Sequence, residues 1–414
     1  MPNEITLRTP TAGEFPRFVA PLSIAFSEEI SDAAIENDRQ TIELDRFFGA
    51  LDGEAVVGCG GAYSFRLTVP GGEIGAAGIT GVGVLPTHRR RGILRSMMRR
   101  IFDQARERDE PVAILWASEG AIYQRFGYGF GTLQTDFEAL KDKVVFSTPV
   151  DPPGQMRIVS LDEAATRFPP VYDAIRGSTP GFVARSEARW RYEQLADADW
   201  MRHGNGHKVL ALLEVEGETR GFVIFRTRSD WDSSGPKDVI TVLELMGLDP
   251  VVEQCLWQWV FSIDLLGTVR GIRGPVPHPL QLLVTEPRRL NAMVKDGTWL
   301  RIIDLPAALR GRTYGVEGTL AFDVADEFCP WNAGRWQLTV PGRDGEAVSV
   351  DSAPALAEVG LSADIRDLAS VYLGALRFAD LARVGRVQEC RPGAVALADT
   401  LFTWSTAPWN PTMF

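Results

Sequence analysis

At 414 residues the chain has room for several domains of roughly 100–200 residues each, and 45% hydrophobic with 23% charged residues is the make-up of a soluble globular protein. Forty-three basic residues against 54 acidic ones leave a net charge of −11, which argues against a dedicated nucleic-acid binder and favours cationic partners. Cys59, Cys255, Cys329 and Cys390 form no CxxC pair and the four histidines no HExxH, which excludes a disulfide framework and a zinc site of usual spacing; four buried thiols in a reducing, cytoplasmic setting are expected.

The opening MPNEITLRTP carries no signal-peptide pattern, and no apolar run is long enough for a membrane span. Neither a GxSxG elbow nor a GxxxxGK[ST] loop occurs. Residues 11–38 read as helix and loop. Tyr63, Phe65, Leu67 and Val69 alternate with Ser64, Arg66 and Thr68, the period of a half-buried strand, and Pro70-Gly71-Gly72 marks a turn. A second extended run, Ile79 to Leu85, stops at Pro86. From Gly92 onward Ile93, Leu94, Met97, Met98, Ile101, Phe102 and Ala105 share one face at helical spacing. VAILWA (112–117) follows as a buried strand, so 79–117 is a strand–loop–helix–strand unit with parallel strands.

Proline-rich 141–155 is a candidate linker. Strands are expected at Lys208–Glu214, Gly221–Arg226 and Asp238–Leu248, and a helix near 250–265. A weaker boundary lies at Arg310 to Thr313. Beyond it come strands Thr319–Val324, Trp336–Val340 and Ala347–Val350, then helices Ile365–Leu373 and Phe378–Val384. Three domains are expected, at 1–150, 151–310 and 311–414.

Two loops carry chemistry. In Val82-Gly83-Val84-Leu85-Pro86-Thr87-His88-Arg89-Arg90-Arg91-Gly92-Ile93-Leu94-Arg95 a strand runs through an arginine-rich loop into a helix. Unpaired N–H groups and the helix dipole make such an N-terminus an anion site, and a glycine lets the anion approach the backbone. Eight arginines and two acids between Pro86 and Arg108 give a local net of +6, which suits a polyphosphate. The second loop, Ser118-Glu119-Gly120-Ala121-Ile122-Tyr123-Gln124-Arg125-Phe126-Gly127, follows the VAILWA strand as a short helix. Tyr123 and Phe126 are either core aromatics or the lining of a cleft between the parallel strands. A phenol with an ordinary pKa near 10 is matched to a departing thiolate.

Together these features resemble the GNAT (GCN5-related N-acetyltransferase) superfamily, with Leu94 where the phosphate loop usually has Gly or Ala. THRRRGILR, ASEGAIYQRFGYG, RLTVPGG, LPAAL at Leu305–Leu309, VYLGALR at Val371–Arg377 and a terminal Phe414 resemble its Eis (enhanced intracellular survival) family of aminoglycoside acetyltransferases. The resemblance implies an α/β fold of mixed sheets: tandem GNAT-like domains, then a sterol-carrier-protein-like domain, assembled as a homohexamer. It implies acetyl-CoA as co-substrate, with Val82, Gly83 and Val84 on the pantetheine arm, Arg89 to Arg95 on the pyrophosphate, and Ser118 and Glu119 at the border. Tyr123 would be general acid and the Phe414 carboxylate general base. Phe26 and Glu28 would line the pocket of a polycationic amine substrate. The second GNAT-like domain has Leu248-Asp249-Pro250-Val251-Val252-Glu253 in place of an arginine loop, so a single coenzyme site per chain is expected. A protein-lysine acetyltransferase and a non-catalytic acyl-CoA or lipid binder remain alternatives.

Overall fold

The computed structural model describes residues 4–233, 235–342, 348–352 and 358–414. The chain divides into two compact units. One comprises Met1–Thr132, Thr298–Thr406 and Met413–Phe414, the other Leu133–Gly297 and Ala407–Thr412. The division therefore falls near 132 and 297, where 150 and 310 were expected. The proline-rich stretch 141–155 lies inside the second unit, because Leu133–Leu140 is already a strand of that unit's sheet.

The first unit opens with β1 (Ile5–Arg8), α1 (Phe15–Phe26), α2 (Asp32–Asp38), β2 (Phe47–Asp52), β3 (Ala55–Val69) and β4 (Gly72–Val84). It continues with α3 (Ile93–Glu107), β5 (Val112–Trp116), α4 (Gly120–Gln124) and β6 (Gly129–Phe130). β3 and β4 form the long hairpin that the alternation from Tyr63 to Val69 requires, turning at Pro70-Gly71. In the sheet the order is β1-β2-β3-β4-β5, then the distant strand Thr298–Ile302, then β6. All five residues of that inserted strand are buried, as its place between β5 and β6 requires.

The apolar stripe of α3 is buried as its spacing dictates: Ile93, Met97, Met98, Ile101, Phe102 and Ala105 pack with Phe48, Val57, Ala77, Ile79 and Leu115 in one core cluster. α1 covers the opposite face, where Phe15, Phe18 and Val19 pack with Phe47, Leu51 and Cys59.

The same unit holds a five-stranded sheet ordered Ser349–Ser352, Gly334–Val340, Gly318–Ala325, Leu361–Asp364, Val387–Glu389. Helices Ile365–Tyr372, Phe378–Arg383 and Ala394–Phe402 accompany it. The first residue of the strand expected at Ala347–Val350 lies outside the described residues. This region is tied to the first sheet by the buried pair of Arg301 and Asp326, 2.6 Å apart, and by the Phe130 N–H donating to the Ser370 hydroxyl at 3.0 Å.

The second unit is another seven-stranded sheet, ordered Met293–Asp296, Leu133–Leu140, Leu266–Gly274, Asp238–Gly247, Glu218–Arg228, Lys208–Val215, Gln155–Ile158. Helix Pro250–Ser262 makes the crossover between its parallel pair. Cys59, Cys255 and Cys329 are buried and free; Cys390 is exposed, against the expectation of four buried thiols, because it follows a short edge strand. No described helix is long and apolar enough to cross a membrane.

Candidate active site

The site begins with a split in the first sheet. β4 pairs with β5 in parallel only over Ala76–Gly78 opposite Val112–Ile114, yet β4 runs on to Val84. Between Thr80 and Gly83 the register against β3 slips by one residue, a bulge in which Gly81 takes φ +59°. Beyond it the Leu85 N–H donates to the Val57 carbonyl at 2.9 Å. Strand alternation turns the main-chain groups of Gly83 the same way, toward β3, and those of Val82 and Val84 toward the edge that β5 has left. Gly83 serves a different need: a Cβ there would stand 2.8 Å from Leu22 Cδ2 and 3.0 Å from Ala25 Cβ. Its lack of a side chain lets the end of α1 lie on β4.

After β4 the chain passes through the arginine loop. Arg90 holds φ +63° and Gly92 +82°, a left-handed pair that brings the chain sharply into α3. Among the described residues, Gly92 offers no side-chain cap to the first turn of this 15-residue helix, and nothing lies within 4 Å of a Cβ built on it. The N–H groups of Ile93, Leu94 and Arg95 are thereby left for a ligand, on the positive end of the helix dipole. In the second unit the equivalent turn is closed: the Asp249 carboxylate accepts the Val252 N–H at 2.9 Å and pairs with Arg220 at 3.1 Å.

The eight arginines do not act together. Arg95 and Arg99 lie over the Phe328 ring at 5.0 and 4.3 Å, Arg106 over Trp331 at 4.4 Å, and Arg100 over Phe48 at 5.4 Å. Arg108 pairs with Asp45, and Arg91 with Asp52 at 3.2 Å. The expectation of a single +6 anion field is corrected: four of these arginines pack against aromatic rings, two are in ion pairs, and Arg89 and Arg90 remain exposed in the loop. His88 also turns to Asp52, at 3.4 Å, with Thr87 on its Nδ1 at 2.8 Å.

Ser118 and Glu119 are exposed in the link between β5 and α4, Glu119 as the residue preceding the helix. Tyr123, on α4, packs edge-on to Tyr128 at 5.7 Å. Val82, Val84, Leu94 and Tyr123 all border the core cluster that lies under α3. Burial raises the Tyr123 phenol above its ordinary pKa, which keeps it protonated through the neutral range. Phe414 reaches this region from the other end of the chain. Its ring meets Phe65 edge-on at 4.9 Å, and Phe65 covers Gly78, where a Cβ would come within 2.1 Å. Gly78 is the last residue of β4 to pair with β5. The terminal residue is thus at the mouth of the split. Phe26, 45% exposed, and Glu28, also exposed, follow the stretch of α1 that touches Gly83. In sequence Phe65 reads only as an inward residue of a half-buried strand, because the pairing of β3 with β4 is what puts it over Gly78.

Comparison with known proteins fits this geometry. Residues 6–131 and 181–302 each match an acetyltransferase (GNAT) domain family, and residues 305–411 match a sterol carrier protein domain. The chain is 31% identical to the N-acetyltransferase Eis of Mycobacterium tuberculosis over 399 residues, 93% of each chain. This chain belongs to the Eis family of GNAT N-acetyltransferases. An uncharacterised N-acetyltransferase of Streptomyces avermitilis is 39% identical over 389 residues, covering 92% of this chain and 93% of its own. The crystal structure of Eis1 from Mycobacterium abscessus superposes with a TM-score of 0.83 at 29% identity, covering both chains fully. A GCN5-related N-acetyltransferase from Anabaena variabilis has a TM-score of 0.84 at 21% identity and shares the fold. GNAT enzymes of the Eis family use acetyl-CoA, and the open β4 edge with the uncapped start of α3 fits its pantetheine arm and its pyrophosphate.

Proposed function

We propose that this Eis-family enzyme acetylates several amines of a polycationic small molecule of the aminoglycoside class. The reading is supported above all by one observation: the Phe414 ring meets Phe65, which covers Gly78, the last residue of β4 to pair with β5 before β4 runs on to Val82 and Val84. The net charge of −11 and the exposed Glu28 just past the end of α1 favour a cationic substrate.

In this mechanism the main-chain groups of Val82 and Val84 hold the pantetheine amides. The Arg89–Arg95 turn, with Gly92 open to the approach of an anion, holds the pyrophosphate. Ser118 and Glu119 border the arm. The neutral amine nitrogen attacks the thioester carbonyl carbon; the C–N bond forms and the C–S bond breaks. Tyr123 gives its phenolic proton to the departing thiolate. The Phe414 carboxylate takes the proton lost by the amine, directly or through one water. A terminal carboxylate has a reference pKa of about 3.5, so burial must raise it for efficient base catalysis. Phe26 and Glu28 form part of the amine pocket.

The test is thiol release from acetyl-CoA with aminoglycosides, simple mono-amines and lysine peptides, for the native enzyme and Tyr123→Phe. The expected result is turnover of the multi-amines with more than one acetyl per molecule. A loss of about 10²-fold or more in kcat is expected for Tyr123→Phe. Because the phenol stays protonated, kcat should rise with pH through the neutral range as the amine loses its proton, and Tyr123→Phe should lower the whole profile without moving its acid limb. Preference for lysine peptides would reassign the substrate, and coenzyme binding without any turnover would favour a binding protein.

A further inference from the structure

The second unit repeats the split and fills it with the chain's own tail. Its parallel strands Asp238–Gly247 and Leu266–Gly274 pair only as far as Val242 and Gly271, then part. A cavity of about 180 Å³ remains there, lined by Leu245, Trp257, Arg273 and His278 and by Trp409 and Pro411 from the C-terminal segment.

Residues 407–412 are held by a chain of specific contacts. The Trp409 N–H donates to the Pro180 carbonyl at 3.1 Å, and its ring meets Phe182 edge-on at 4.9 Å. Arg273 Nε donates to the Pro411 carbonyl at 3.3 Å. The Thr412 N–H donates to Asn410 Oδ1 at 2.9 Å. Arg185 Nε donates to Thr412 Oγ1 at 2.9 Å, and the Tyr172 hydroxyl lies 3.2 Å from the same oxygen. Arg185 is itself fixed. Two of its nitrogens bond both Glu244 oxygens at 2.9 and 3.0 Å, and its guanidinium lies 3.9 Å from the Tyr172 ring centre. Thr412 and Asn410 are 0% and 2% exposed.

Desolvating an arginine–glutamate pair is costly, and it is tolerated only where every donor finds a partner. Here the third guanidinium nitrogen, Nε, donates to a threonine two residues from the end of the chain. The equivalent helix start is closed by Asp249, so the split has lost its anion site and kept its slot.

We propose that Thr412 is a positioning residue: the split of the second GNAT fold clamps the C-terminal segment, with Arg185 and Glu244 as the fixed half of the clamp, so that the terminal carboxylate is delivered in one place. The proposal rests on the reading that this carboxylate is the general base. Two residues extend at most about 7 Å, so an anchored Thr412 confines the terminus to that radius.

The experiment compares native enzyme, Thr412→Val, Thr412→Ser and a chain extended by a few residues past Phe414. Each is assayed for kcat, for KM of acetyl-CoA, and for the rate at which a carboxypeptidase releases Phe414 from the three unextended proteins. Thr412→Val should lose about tenfold or more in kcat with an unchanged KM for acetyl-CoA, and should release Phe414 at least tenfold faster. Thr412→Ser, which keeps the hydroxyl, should behave as native in both. If Thr412→Val keeps its kcat while the extended chain is inactive, the clamp is wrong and the base stands. If both keep native kcat, the base reading has failed and the clamp's catalytic role with it. A parallel fall in kcat and thermal stability that Thr412→Ser does not rescue would reduce Thr412 to a packing role and overturn the proposal.

Discussion

Gly83 is required by α1 more than by a ligand. Adding a Cβ would press on Leu22 and Ala25 at 2.8 and 3.0 Å, and both sit on a helix backbone that must give way. Gly83→Ala should therefore lower stability by about 1–3 kcal/mol, the usual range for overpacking, and should weaken turnover by shifting α1 and with it Phe26 and Glu28. Thermal melts and kinetics on the same preparation check both effects. At Gly92 the space is open but φ is +82°, so Gly92→Ala should cost about 1 kcal/mol of backbone strain and raise KM for acetyl-CoA rather than lower kcat. Motif spacing made Gly92 legible as the hinge of an anion loop. The true employment of its neighbours was not legible. Arg99 donates to the carbonyl of Phe328, 229 positions away, and no local pattern can separate an arginine that stacks on a distant ring from one that waits for a phosphate.

At the scale of elements, both folds use parallel strands that pair briefly and then part, and they differ in how the following helix begins. In the first, Gly92 leaves the first turn open; in the second, Asp249 closes it. That difference was readable from the arginines of one loop and the acids of the other. The bulge at Gly81 was not, because a register slip exists only between two strands. His278 gives the second fold a pH signature. It is 4% exposed, it accepts the Leu280 N–H on Nδ1 at 3.2 Å, and burial lowers its pKa from 6.5 to about 4. A histidine kept neutral by the fold contributes stability that is complete above pH 6.5 and is lost as pH falls from there toward 4. The loss is ~3 kcal/mol over that window. His278→Asn, which keeps an acceptor and does not titrate, should flatten the fall of the melting temperature between pH 6.5 and 4. An unchanged slope would mean that other groups dominate acid unfolding.

For the whole molecule, strand pattern and motifs sufficed to expect several domains and one strand–loop–helix–strand unit, and the family resemblance implied the two GNAT-like folds and the sterol-carrier-like fold. They did not disclose that Thr298–Ile302 returns to the first sheet, or that the last eight residues divide as 407–412 and 413–414 between the two units. Both are long-range pairings, and a buried strand looks the same in sequence whichever sheet receives it. The family resemblance carries a homohexamer, so native mass spectrometry or light scattering should give six times the 45.6 kDa chain mass; a monomer would contradict that part of the account.

The central claim is that one split sheet receives acetyl-CoA while the chain's own end supplies the base. The most direct measurement is single-turnover acetylation of an aminoglycoside by the native enzyme and by a chain extended past Phe414, with acetyl-CoA affinity measured for both. The account predicts unchanged acetyl-CoA binding and a turnover loss of about 10²-fold or more in the extended chain. Native turnover from an extended chain would contradict it and move the base to another residue.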